Sequence, residues 1–323
     1  MDVGIMEFDL KEVIKHCELK WGIDDSLKDL EGKVLNWINQ AEEREQIILL
    51  NLLKNFEYYT LKRVNAVFVE LHTSLSEQYE DVLHRYQTNG YSNTLFFPVY
   101  KRDGTRTSSF DMHGSYRHSN NLSKHCFKTE LSLILEDKDF PFDQIDNIVF
   151  IDDMVGTGNS MVKFLKSILR LYGDKFDLLS KKFFLIVLEA CSHGVDTIEN
   201  YKNETGINLS LVYSKLHKKA FSENHLFVAE ELETSRKIVY ELEMKINNNN
   251  PRNVLGYEES EALMSFYHNI PNNTLSSFWQ ENESIGWQPL FPRSRHDNPF
   301  SKRKKLSEKQ DLQKKSNYIA RSL

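Results

Sequence analysis

The residues best suited to chemistry lie in one short stretch, residues 148–160, which reads Ile-Val-Phe-Ile-Asp-Asp-Met-Val-Gly-Thr-Gly-Asn-Ser. Its four apolar residues predict a buried strand that ends at two adjacent carboxylates, Asp152 and Asp153. In α/β folds, ligands bind at the edge of the sheet where the strands have their carboxyl ends. We therefore expect both carboxylates to face a ligand at that edge.

The residues that follow form a turn suited to an anion. They are Gly156, Thr157, Gly158, Asn159 and Ser160. Glycine lets the backbone approach a ligand closely and adopt positive φ, and the free amides at the start of the next helix can bind a phosphate. Two adjacent carboxylates can accept hydrogen bonds from two vicinal hydroxyls. A ligand that carries a phosphate a few bonds from a cis-diol is a ribose 5-phosphate, which is the predicted ligand.

The stretch VFIDDMVGTGNSM resembles the phosphoribosyl-pyrophosphate (PRPP) binding motif of type I phosphoribosyltransferases. That family has an apolar strand, two acids, three variable residues, Thr-Gly and a small polar pair. The resemblance implies a Rossmann-like parallel sheet, Mg2+, and transfer of a phosphoribosyl group between pyrophosphate and a nucleobase or another nucleophile. It implies that Asp152 and Asp153 hold the ribose hydroxyls and that Val155 through Ser160 enclose the 5-phosphate. Ligand oxygens and water would hold the Mg2+, so no protein metal cage is expected.

The resemblance also implies a pyrophosphate site after the first core strand. The loop there, residues 101–109, reads Lys-Arg-Asp-Gly-Thr-Arg-Thr-Ser-Ser. Its candidate ligands are Lys101, Arg102 and Arg106 as cations and Ser108 and Ser109 as donors. A solvated charged loop is the alternative. Tyr116, Arg117 and His118 just beyond it are further candidates for the same cleft.

The candidate contacts to an acceptor base are His268, Asn272 and Asn273, with Trp279 able to stack on the base. Residues 255–279 resemble a divergent bacterial branch associated with biological conflict systems, which favours this assignment. The alternative is an ordinary turn, because Pro-Asn-Asn is a common turn sequence. Glu189, Cys191 and His193 follow another strand, and Glu189 is a candidate cleft carboxylate; a Cys-x-His triplet is too tightly spaced for an ordinary zinc site.

Other ligand classes fit the sequence less well. No GxxxxGK[ST] sequence occurs, which excludes a P-loop nucleotide site. The turn lacks the third glycine of a dinucleotide-binding fingerprint, and the acids precede the turn instead of following it. A structural strand–turn–helix with surface aspartates remains the alternative without function.

The elements that must position these residues alternate between strand and helix. Predicted strands are 94–100, 147–152, 182–191 and 207–216, and predicted helices are 121–135, 159–172, 197–202 and 226–246. This order predicts an α/β core with a parallel sheet, spanning residues 91–292. Residues 1–90 are predicted as a helical N-terminal extension, and residues 101–120 as a polar loop. Residues 293–323 are predicted as a flexible basic tail.

Composition limits the class of protein. Of 323 residues, 41 are Lys or Arg and 47 are Asp or Glu, so no overall basic excess indicates nucleic acid. Three cysteines without a CxxC pair argue against a disulfide framework, and no apolar run approaches 18 residues. We therefore expect a cytoplasmic protein without a membrane segment. Residues 293–323 carry ten Lys or Arg against three acids, so the tail is a candidate nucleic-acid contact.

The functional expectation has two branches. The leading one is a Mg2+-dependent phosphoribosyltransferase, or the reverse reaction on a nucleotide. The alternative is a non-catalytic module that senses PRPP or a nucleotide, or an antiviral-defence effector, acting with a protein partner bound through the N-terminal helices.

Overall fold

The computed structural model describes residues 10–22, 27–79, 93–100 and 107–293. All of them except Arg293 belong to one compact unit, Met1–Pro292. The helices are α1 (Leu10–Trp21), α2 (Leu30–Ile38), α3 (Glu43–Asn55), α4 (Leu61–Gln78), α5 (Ser109–Ser119), α6 (Leu131–Glu136), α7 (Asn159–Phe176), α8 (Ser192–Thr205) and α9 (Ala229–Ile246). The strands are β1 (Glu57–Tyr59), β2 (Thr94–Pro98), β3 (Asn147–Ile151), β4 (Met154–Val155), β5 (Lys182–Cys191), β6 (Leu209–His217) and β7 (Met264–Phe266).

The central sheet is parallel throughout. β2 pairs with β3, β3 with β5, and β5 with β6. β4 also pairs with β5, at Glu189 and Ala190, beyond the point where β3 has ended. β3 and β4 therefore follow one line along β5, and Asp152 and Asp153 interrupt that line.

Helices cover both faces of this sheet. On one face, strand residues such as Ile148 and Phe150 share a core with α6, α7 and α8. On the other, Val149 and Ile151 share a core with α4 and α5. Alternating side chains of a buried strand point to opposite faces, which is why nearly every residue of β3 and β5 is apolar. The predicted α/β fold with a parallel sheet is confirmed.

The N-terminal helices α1–α3 build a third core together with α9 and the segment 254–291. The indole nitrogen of Trp37 donates to the Ser277 carbonyl at 3.0 Å, and β1 pairs in parallel with β7. The predicted N-terminal helices are present, and they form one layer with the C-terminal segment. The predicted domain boundaries at residues 90 and 292 stay predictions, and the basic tail beyond Arg293 lies outside the described residues.

Three predicted elements need correction. The predicted helical extension, residues 1–90, is not helical throughout its described part, because β1 interrupts it: residues 56–60 are all buried, and a helix with one apolar face cannot bury five successive residues. Residues 109–119 of the predicted loop form α5, whose buried Ser109, Met112 and Tyr116 have helical spacing. The predicted helix 121–135 is mostly irregular, because Phe127 bridges to β2 and only α6 is an α-helix.

Glu243 in α9 connects this helix to the C-terminal segment. Its side chain is fully buried and accepts hydrogen bonds from the amides of Leu255, at 2.6 Å, and Ser277, at 2.8 Å, and from the Ser277 hydroxyl, at 2.8 Å. Burial raises the pKa of Glu243 from 4.5 to about 7, although these donors oppose the shift. The folded protein therefore favours the protonated acid.

This raised pKa predicts a pH-dependent stability. A carboxyl group whose pKa is higher in the folded state stabilises the fold below its unfolded pKa, and this contribution is lost as the pH rises through the folded pKa. We expect Glu243 to cost about 3 kcal/mol of unfolding free energy between about pH 5 and about pH 8. Urea unfolding of the wild type and of Glu243→Gln at both values measures it. The pH dependence of the two proteins should differ by that amount, and equal dependence would contradict the assignment.

Candidate functional site

The candidate site is built around the interruption between β3 and β4. The backbone stays bound to β5 there: the Asp152 amide donates to the Ile186 carbonyl and the Leu188 amide to the Asp153 carbonyl, both at 3.0 Å. Asp152 Oδ1 accepts from the Asp153 amide at 2.9 Å, and Asp153 Oδ1 accepts from the Met154 amide at 2.8 Å. Both carboxylates are therefore held by a rigid strand.

The pKa values of the two carboxyl groups are shifted in opposite directions. Burial, and then the charge of Asp153, raise the pKa of Asp152 well above its ordinary value. For Asp153 burial acts in the same direction, but His268, the Ser108 side chain and the Met154 amide outweigh it and lower the pKa. Of the two groups, Asp152 therefore binds a proton more readily, and Asp153 keeps its negative charge to lower pH.

The glycine turn follows directly and leads into α7. Gly158 is the N-cap residue with φ of 76°, a conformation that costs glycine little. The amides of Thr157 through Ser160 have no hydrogen-bond acceptor within the described residues. These four donors and the positive end of the α7 dipole make the turn suited to bind an anion.

The glycine turn is in close contact with neighbouring segments of the chain, which leaves no space for side chains at its glycines. A Cβ atom on Gly156 would lie 2.5 Å from both terminal atoms of the Asn273 side chain. A Cβ atom on Gly158 would lie 2.7 Å from the Gly194 carbonyl, and one on Gly194, in the first turn of α8, would overlap the Gly156 carbonyl. Gly194 is a site residue that the sequence analysis missed, since only the tertiary fold brings α8 against the turn.

The segment 255–273 lies against the same turn. Asn159 Nδ2 donates to Glu258 Oε2 at 3.4 Å, and Asn273 Nδ2 donates to Ser260 Oγ at 3.2 Å. The Asn272 carbonyl accepts from the Tyr257 amide at 2.8 Å. Five residues of this segment have positive φ, four of them not glycine: Leu255, Gly256, Glu258, Glu259 and Glu261. Residues in such unfavourable conformations tend to cluster at functional sites.

His268 lies on the other side of the aspartates. Its Nε2 is 3.8 Å from Asp153 Oδ2, which is an ion-pair distance and too long for a hydrogen bond. The ring stacks on Phe266, with centroids 5.8 Å apart. Of the three predicted base contacts, the structure therefore brings His268 to the aspartates and Asn273 to the glycine turn. The Asn272 side chain makes no hydrogen bond within the residues that the structure describes.

The predicted pyrophosphate residues are divided. The Ser108 side chain lies beside Asp153. The Ser109 hydroxyl is buried and donates to the Val99 carbonyl, so its placement gives no support for an anion contact. Lys101, Arg102 and Arg106 lie outside the described residues.

Two further candidates, Tyr116 and Trp279, are buried and do not lie in the cleft. Tyr116 is buried in the core, with its hydroxyl 2.8 Å from His72 Nδ1. Trp279 is buried and donates to the Thr274 carbonyl at 2.8 Å, so its ring is not free to stack on a base.

Glu189 is also buried, not in the cleft. Its two oxygens accept from the Tyr59 hydroxyl at 2.6 Å and from His217 Nδ1 at 2.9 Å. Since the Leu263 amide donates to His217 Nε2 at 3.0 Å, the ring hydrogen must lie on Nδ1. Glu189 therefore joins the sheet to β1 and to the segment that carries β7 and His268.

The described residues contain no cluster of three or more His, Cys, Asp or Glu side chains placed to bind a metal ion. Among them there is also no helix long and apolar enough to span a lipid bilayer.

Comparison with known proteins identifies the family to which this chain belongs. No curated protein matches the sequence. Two solved structures share limited similarity. The Helicobacter pylori xanthine-guanine-hypoxanthine phosphoribosyltransferase is 15% identical, with 51% of this chain and 85% of that chain covered and a TM-score of 0.27. The AQ2163 protein from Aquifex aeolicus is 13% identical, with 61% and 87% covered and a TM-score of 0.29. The sequence profile of the PRTase-CE family matches residues 34–293. The chain therefore belongs to the PRTase-CE family, whose members are phosphoribosyltransferase-like proteins.

Proposed function

We propose that this protein binds PRPP together with Mg2+ and transfers its phosphoribosyl group to a nucleophile, or catalyses the reverse reaction on a nucleotide. The observation that carries the proposal is the juxtaposition of the Asp152–Asp153 pair with four amides at the start of α7 that have no acceptor in the described part of the chain. A ribose 5-phosphate has a diol for the first group and a phosphate for the second. Family membership supports the same reaction class.

Each part of the site has a role in this proposal. Asp153, which keeps its negative charge, accepts hydrogen bonds from the ribose hydroxyls, and Asp152 completes the diol site. The amides of Thr157 through Ser160 bind the 5-phosphate. As the bond to pyrophosphate lengthens, positive charge develops on the ribose, and a fixed carboxylate beside it stabilises that charge.

The Mg2+ would be bound mainly by pyrophosphate oxygens and water, because this ion gives up its water reluctantly and binds substrate phosphates in preference to all-protein cages. It would offset the negative charge of the leaving pyrophosphate. Ser108 is the pyrophosphate candidate that the described residues place beside Asp153; Arg102 and Arg106 remain predicted contacts. Ser108 is the N-cap residue of α5, so an anion there would also be near the positive end of the α5 dipole.

The direct test is calorimetric titration of PRPP and Mg2+ into the wild type and into Asp152→Asn/Asp153→Asn. The double variant keeps the shape of both side chains and removes their capacity to carry charge. Hydrogen bonds to charged groups contribute about 1.5–3 kcal/mol each, so we expect the double variant to bind PRPP at least about 100-fold more weakly. Equal affinity in the two proteins would refute the proposal.

A matched control separates this effect from the loss of two acids in general. Asp139 and Asp177 are both exposed and lie outside the site. Asp177 has positive φ, which asparagine tolerates well. Asp139→Asn/Asp177→Asn should bind PRPP with the affinity of the wild type.

A second candidate function is PRPP sensing without catalysis. It is favoured by the segment 255–273, which contacts the glycine turn through Glu258 and Asn273 and also shares a core with α1–α3. A ligand that moved this segment would alter the surface presented by the N-terminal helices to a partner. Binding of PRPP without release of pyrophosphate, with any acceptor, would favour this function over transfer.

A further inference from the structure

The ring of His268 is held in place by a short series of stacked side chains. Phe266 stacks on Tyr59, with centroids 5.3 Å apart, and His268 stacks on Phe266. Tyr59 and Phe266 are themselves paired across β1 and β7. His268 is therefore positioned by two strands although it lies in the turn that follows β7.

Three polar side-chain atoms of this turn have no hydrogen-bond partner among the described residues. Neither ring nitrogen of His268 has a hydrogen-bond partner in the described part of the chain, and the same is true of Asn269 Oδ1. All three atoms are buried. A buried polar group without a partner is costly, and native proteins contain few of them. A ligand that supplies the missing partners accounts for this cost.

Asp153 determines how His268 can act. The carboxylate faces Nε2 at 3.8 Å. A carboxylate facing one ring nitrogen favours the tautomer with the hydrogen on that nitrogen, which leaves the lone pair on Nδ1. Nδ1 is then the ring nitrogen that can accept a proton. Contacts of this kind are often long before substrate binds and shorten in the complex.

We propose that His268 is a catalytic base for the transfer proposed above, and that the acceptor is a compound whose attacking nitrogen carries a hydrogen. The inference rests on that proposed function. The bond from ribose C1 to the pyrophosphate oxygen breaks, and its electron pair leaves with pyrophosphate. The nitrogen lone pair forms the new bond to C1. The N–H proton passes to Nδ1 of His268 and from there to solvent.

This role separates two classes of acceptor. A purine, pyrimidine or other azole or imide nitrogen must lose a proton when it is alkylated, so it gains from a base. A pyridine-type nitrogen attacks with a free lone pair and loses no proton, so a base gives it no advantage. His268 therefore favours the first class.

The experiment measures pyrophosphate release from PRPP and Mg2+ with hypoxanthine, guanine, uracil and orotate as N–H acceptors and nicotinate as the pyridine acceptor. The proteins are the wild type, His268→Ala, His268→Gln and the control His225→Gln, which makes the same change at an exposed histidine. We expect turnover with at least one N–H acceptor. His268→Ala should lower kcat about 100-fold or more, and added imidazole should restore part of it. His225→Gln should match the wild type.

PRPP affinity, measured by calorimetry in the same proteins, distinguishes failure of the proposed function from failure of the proposed role of His268. If the wild type does not bind PRPP, the proposed function fails. If PRPP binds but only nicotinate is used, or no acceptor is used, the inference about His268 is overturned and PRPP binding stands. It is also overturned if His268→Ala keeps its kcat, or if this variant loses PRPP affinity in parallel with kcat and imidazole restores nothing.

Discussion

Replacing His217 with leucine is expected to lower the free energy of unfolding by about 3–5 kcal/mol. Glu189 is fully buried, and among the described residues its two oxygens accept only from Tyr59 and His217. Leucine fills much of the imidazole volume but donates nothing. One Glu189 oxygen and the Leu263 amide would both lose their partners in the interior, and each unpaired group is costly.

Chemical denaturation with urea measures this loss, with His16→Leu as the control. His16 is exposed on α1, so the same change there should alter the unfolding free energy by less than about 0.5 kcal/mol. Tyr59→Phe removes the other donor and should cost about 1–3 kcal/mol. A loss below about 1 kcal/mol for His217→Leu would mean that Glu189 does not depend on this donor.

The His217 variant should also affect ligand binding. The Leu263 amide that His217 holds lies directly before β7, and β7 leads to His268. Loosening this connection would release the ring that faces Asp153. The folded molecules of the variant should therefore bind PRPP more weakly than the wild type, although His217 itself does not face the site.

The parts of this molecule that the sequence predicts well are those determined by local pattern. β5 extends from Lys182 to Cys191, as predicted. Most of its ten residues are apolar, so the apolar run itself indicates where the strand begins and ends. α7 begins at Asn159, as predicted, because the preceding glycine permits the left-handed cap. The motif of two acids and a glycine turn is likewise read within one segment of about a dozen residues.

The parts that it predicts poorly depend on contacts between distant segments. β1 pairs with β7 across about two hundred residues of chain, and neither three-residue strand has enough pattern to be recognised alone. α5 has only three buried positions among polar residues and a central glycine, so its helical spacing is weak. Glu189 was only a candidate cleft carboxylate, because of its place near a strand end, and the partners that hold it in the interior, Tyr59 and His217, lie on two other strands.

The role of Gly194 also depends on contacts between distant segments, so the sequence alone did not indicate it. We expect the second large effect on stability and binding from Gly194→Ala. In a helix, alanine is more favourable than glycine by about 1 kcal/mol, so helix propensity alone predicts stabilisation. The new methyl group, however, would overlap the Gly156 carbonyl and lie 2.7 Å from Val155 Cγ1. Backbone cannot yield as a flexible side chain can, so α8 and the glycine turn must separate.

We expect Gly194→Ala to lower the unfolding free energy by about 2–3 kcal/mol, in the range of overpacked interiors. Because the displaced backbone belongs to the turn proposed to bind the 5-phosphate, PRPP should bind at least about 10-fold more weakly. Gly114→Ala is the matched control: this glycine is also within a helix, α5, and a Cβ atom there meets nothing within 4 Å. It should stabilise the protein by up to about 1 kcal/mol. If Gly194→Ala behaved like Gly114→Ala in urea unfolding and PRPP titration, the close contact between α8 and the glycine turn would not exist in solution.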